Sequence, residues 1–113
     1  SSNCSLEDFC SMIAKTVDLM GINHVGFGSD LCQDQPDNIV EWMRVGKWTK
    51  NIEYGEGSAS NPGFPKMPTW FRDNRDWHNI LTGLKNIGFN EEEIDKIKGK
   101  NWLNFFRNSF RSV

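Results

Sequence analysis

A single stretch, Ile22-Asn23-His24-Val25-Gly26-Phe27-Gly28, reads as a short β-strand, with two glycines that permit close approach of a neighbouring backbone. No second stretch matches it. A lone strand has no ladder partner and its backbone groups cannot be buried unpaired, so this one feature bears on every architecture open to the chain. Everything else with a period is helical. The apolar residues Leu6, Phe9, Cys10, Ile13, Val17 and Met20 recur at helical spacing, Ser5 is placed to cap them with Asp8 three residues on, and Gly21 is a natural stop. A second helix is predicted over 76–87, with Ile80, Leu81, Leu84 and Ile87 on one face and Gly88 after its end. A third opens at Asn90, which pairs with Glu93 in a capping-box pattern, and buries Ile94 and Ile97. Gly99 is expected to break it, and Asn101 to start a last helix carrying Trp102, Leu103, Phe105, Phe106 and Phe110.

Between the strand and the second helix, residues 31–74 lose period, apart from one or two helical turns predicted over Ile39 to Val45, around Trp42 and Met43. Tyr54 to Pro65 is too rich in Gly, Ser and Pro for a regular element. Loops of this length are usually functional, and Trp42, Trp48 and Trp70 argue against a disordered linker. The order helix, strand, long loop, helix is one step of a parallel α/β protein. A complete (β/α)₈ barrel takes about 250 residues, and this chain has 113. The expectation is therefore an α/β fold, the C-terminal fragment of a (β/α)₈ barrel. Residues 1–113 would form a single partial domain: the last barrel strand, a long loop and the C-terminal helices, mostly helical with one clear strand.

Charge narrows the partners. With 13 Lys+Arg against 15 Asp+Glu and no basic cluster, the chain lacks the footprint that nucleic-acid binding requires. No run approaches the roughly 18 apolar residues of a membrane span. Cys4, Cys10 and Cys32 are odd in number without C-x-x-C spacing, so they read as free thiols in a reducing compartment. With no signal-peptide pattern, a cytoplasmic location is favoured. The match of Asn3-Cys4-Ser5 to a glycosylation sequon lacks secretory context.

Gly26-Phe27-Gly28-Ser29-Asp30 puts an acid just beyond the C-terminal end of the predicted strand, where parallel α/β folds carry their active sites. Gly26-x-Gly28 is not a dinucleotide fingerprint, because the third glycine is missing and an acid and a long loop follow. On residue type alone, capping a turn is the simpler role for Asp30. The motif His24-Val25-Gly26-Phe27-Gly28-Ser29-Asp30, preceded by the 6–20 helix, resembles the last strand and its helix in the membrane dipeptidase (renal dipeptidase) family of zinc peptidases. The tail from Gly88-Phe89-Asn90-Glu91-Glu92-Glu93 through Gly99-Lys100-Asn101-Trp102-Leu103 is similar to that family's closing segment. Where many members continue with Phe-Asp-Gly, this chain has Leu31-Cys32-Gln33.

The resemblance implies a metal-dependent hydrolase barrel with two zinc ions that hydrolyses dipeptides. The metal ligands would lie outside this chain, so the piece alone is not expected to be active. Asp30 is the one catalytic position that maps here. It would take a proton as the metal-bridging hydroxide attacks the peptide carbonyl, and pass it to the leaving amine. Leu31, Cys32 and Trp70 are candidates for the substrate pocket, and the full-length form is expected to be a homodimer. His24 and His78 read as surface or packing residues, and Glu91-Glu92-Glu93 as a dipole-favourable first turn. A competing expectation, from a different class, is a small helical module whose Trp-rich loop binds a protein partner.

Overall fold

The computed structural model describes residues 4–31, 34–39, 64 and 66–110. The helices bounded within the described residues are α1 (Leu6–Met20), α2 (Trp77–Asn86), α3 (Glu91–Asp95) and α4 (Asn101–Ser109). A 3₁₀ turn, Asn74–Asp76, leads into α2, and a π-helical turn, Lys96–Lys100, joins α3 to α4.

The caps behave as local chemistry dictates. Ser5 accepts from the Asp8 N–H at 3.0 Å, and the Gly21 N–H closes α1 on the Val17 carbonyl at 2.7 Å. At α3 the Asn90 side chain accepts from the Glu93 N–H while Glu93 accepts from the Asn90 N–H, both at 2.9 Å. That reciprocal pair satisfies donors that every helix start leaves open.

α1 lies across α2, and α3 folds back onto α2. The core they enclose is Cys10, Ile13, Val25, Phe71, Ile80, Leu84, Ile94 and Ile97. α1 and α2 approach closely at Gly83, where an added Cβ would lie 2.7 Å from the Cys10 sulfur and 3.0 Å from Leu6 Cγ. Burial pushes the Cys10 thiol above its ordinary pKa, and it points at the Ile80 carbonyl, 3.9 Å away.

The α/β expectation is wrong. The described residues are 62% helical and contain no strand, sheet or barrel, so the fold is that of a small helical protein. Residues 22–24 form a turn, with the His24 N–H on the Gly21 carbonyl at 3.1 Å, and the chain then runs irregularly through Asp30. The physical reason was already present in the sequence: a strand exists only through its ladder. Among the described residues, the backbone groups of 26–30 bond to no other backbone group. The carbonyls of Ile22 and Val25 go instead to the side chain of Asn101.

A second correction concerns Gly99. Helical backbone runs straight through it, because the widened π turn absorbs the glycine that was expected to end the third helix. Asn101 consequently sits inside continuous helix rather than at a start, with φ −64° and ψ −43°. Residues 37–39 are helical; of the turns expected over 39–45 only Ile39 is among the described residues, and the rest, with Trp48, lies outside them.

Candidate functional site

Asp30 is exposed and takes a left-handed backbone conformation, φ +48°. Non-glycine residues occupy that region sparingly, Asp more readily than most, and such positions concentrate at functional turns. Asp34 shares the trait, with φ +56°. A local bond brackets Asp30: the Leu31 N–H donates to Ser29 Oγ at 3.3 Å. Leu31 is half-buried, and Cys32 lies outside the described residues.

Immediately before Asp30, Gly28 and Ser29 form one edge of an apolar cleft of about 150 Å³. Its other walls include Phe9, Trp70, Phe71 and Trp77. Phe27 stacks on Trp77 with ring centroids 4.9 Å apart and planes at 15°. Trp70 is thereby brought to the same cleft as the turn that carries Asp30, while Leu31 is not among the residues lining that cleft.

Trp70 is held firmly. Its indole N–H donates to the Cys4 carbonyl at 2.9 Å, its ring lies 5.2 Å from that of Phe9, and its own carbonyl accepts from Asn79 at 2.9 Å. The indole N–H is therefore occupied, and what Trp70 offers the cleft is its apolar ring. The segment behind it is stiffened by two carboxylates. Asp76 accepts from the Arg72 N–H at 2.9 Å and from Arg72 Nε at 3.1 Å, and Asp73 takes Arg75 Nε at 3.0 Å and Nη2 at 2.6 Å. The hydrogen bonds from these arginines hold both carboxyls below the usual carboxylate range.

The two histidines stay apart from the cleft. His24 is exposed beside Gly21, and His78 is exposed on α2 with Nδ1 2.8 Å from the Arg75 carbonyl. Among the described residues no three His, Cys, Asp or Glu side chains come together as a metal site, so a zinc pair does not fit on them. Nor is any described helix long and apolar enough to cross a membrane.

Sequence reasoning missed Asn79 and Asn101, the two asparagines that tie the 70s turn and the 22–25 segment to the helices. Neither has a local signature. The Asp73-x-Arg75 and Arg72-x-x-x-Asp76 spacings were readable as ion pairs.

What fold and site define is a helical unit presenting an acid-bearing turn beside an aromatic cleft. Comparison with protein-family models, curated proteins and solved structures finds no match.

Proposed function

We propose that this chain is the C-terminal part of a zinc-dependent dipeptidase, and that Asp30 is its proton-transfer residue. The carrying observation is the exposed, left-handed Asp30 on a turn whose preceding residues edge the Trp70 cleft. Support also comes from the order of motif residues around it, which resembles the membrane dipeptidase family. In this reading Asp30 accepts a proton from the attacking water and delivers it to the leaving amine, while the apolar ring of Trp70 lines the space for a dipeptide side chain. The zinc complement belongs to residues outside the described ones. A dipeptide and a second copy of the complete enzyme are the partners it implies.

The test is Asp30→Asn in the full-length enzyme, with kinetics and zinc content measured on one preparation. General acid–base catalysis contributes about 10²–10⁴-fold, so kcat should fall by that order with zinc retained. Near-normal kcat with zinc retained would leave Asp30 as a turn residue and sink the reading.

One observation favours a second reading, a helical protein-interaction module. Along α4 and its C-cap the rings of Trp102, Phe106 and Phe110 stack in a row at 5.9 and 6.0 Å, and all three are exposed. Aromatic anchors of this kind suit protein interfaces.

A further inference from the structure

We propose that Asn101 is a positioning residue for Asp30, acting through the segment that Asp30 ends; this rests on the dipeptidase reading above. Asn101 is buried, at 9% exposure, and its Nδ2 donates to the carbonyls of Ile22 and Val25, each at 2.7 Å. One short amide thus supplies both N–H groups to two carbonyls more than seventy residues away in sequence. Asp is the same size but brings no donor when ionised, Leu brings none, and Gln is a methylene too long.

The next two residues are fastened as well. Gly26 lies against the Trp102 indole so closely that a Cβ there would be 2.6 Å from Nε1. Phe27 stacks on Trp77. Residues 25, 26 and 27 are therefore gripped in succession by Asn101, Trp102 and Trp77. Beyond them, no hydrogen bond among the described residues ties 28–30 to a helix. The position of Asp30 is inherited from this clamp, and among the described residues Asn101 is the one member of the three that hydrogen-bonds the segment itself. The geometry also accounts for a buried asparagine in the middle of an otherwise unbroken helix, a place where its type is neutral to unfavourable.

The experiment compares Asn101→Asp, Asn101→Leu and Gly26→Ala with Asp30→Asn in the full-length enzyme, using the exposed α4 neighbour Asn104→Ala as control. Backbone mobility at residues 22–31 is followed by amide NMR relaxation, and hydrogen exchange is followed at Ile80 and Leu84. Displacement of a reacting group by about an ångström can cost on the order of 100-fold, so the Asn101 variants should lose roughly ten- to a hundred-fold in kcat with KM little changed. Relaxation should report greater mobility at 22–31 while Ile80 and Leu84 stay protected from exchange. Gly26→Ala keeps the donors but displaces the segment, and should reproduce the kcat loss if an Asn101 variant does not fold. Normal kcat in Asn101→Leu and Gly26→Ala, with Asp30→Asn impaired, would overturn the positioning role and leave the dipeptidase reading standing. Normal kcat in Asp30→Asn overturns both.

Discussion

Asp73 and Asp76 fix the turn before α2 with their carboxylates, and each is tuned by the arginine it accepts from. Arg75 holds Asp73, and Arg72 holds Asp76, below the ordinary carboxylate value of 3.8. A carboxyl whose pKa is depressed by folding stabilises the folded state fully above its unfolded value, and that contribution disappears as pH falls through the folded value. Asp95, lowered by its hydrogen bond from Lys98, acts in the same direction. Thermal unfolding should therefore be nearly flat from neutral pH down to about 5 and turn downward below about 4. Asp76→Asn should lower the midpoint at neutral pH and shallow the acid limb, as read by circular dichroism melts from pH 7 to pH 3; parallel profiles for the two proteins would count against it. The effect is modest, because the Arg72 side chain is 72% exposed and water screens the pair. At this scale the sequence was uneven as a guide. Asp30 and Trp70 stand out by type and place, whereas Asn101 reads as a helix start only because Gly99 is expected to break the helix before it. Its partners, Ile22 and Val25, lie where no local pattern points.

Helix ends and faces were legible because their causes are local. Ser5, Gly21 and the Asn90–Glu93 box need only their own neighbours, and the structure forms each of them. The strand over 22–28 failed for the opposite reason, since β-structure is a property of two segments and the described residues supply one. Gly99 misled because a glycine lowers helix propensity by only about 1 kcal/mol, less than the packing of Ile94, Ile97 and Asn101 on either side returns. Packing likewise governs α1 on α2. Gly83→Ala gains helix propensity of about 1 kcal/mol but drives a methyl toward the buried Cys10 sulfur, 2.7 Å away. Overpacking of this sort typically costs about 1–3 kcal/mol, so a net loss of stability is expected in denaturant melts. Cys10→Ala removes the obstructing sulfur, and the double variant should be more stable than the sum of the single losses implies. Strict additivity would mean that the two helices do not meet in this way.

At the scale of the whole molecule the balance of buried and exposed apolar surface is the unusual property. Among the described residues the core is small and centred on Leu84, Ile97 and Cys10, while Leu103, Phe105 and Phe106 on α4, Phe110 just after it, and Leu19 and Met20 at the end of α1 face outward. Contiguous apolar patches of this kind mark interaction surfaces in a soluble chain. The sequence already crowds Trp102, Leu103, Phe105, Phe106 and Phe110 into one predicted helix, although the α/β frame expected around it is not what the helices form. The 113-residue chain on its own should therefore bind a hydrophobic dye and self-associate as its concentration rises, followed by fluorescence and sedimentation velocity. Phe105→Gln with Phe110→Gln, at side chains 58% and 78% exposed, should reduce both signals. The thermal transition should barely move, because surface substitutions away from the core usually change stability by no more than about 0.5 kcal/mol. If the wild-type chain stays monodisperse and dye-silent while unfolding cooperatively, the aromatic face is not seeking cover. The helical interaction module then gains over the dipeptidase reading, because a self-sufficient unit needs no larger domain to complete it.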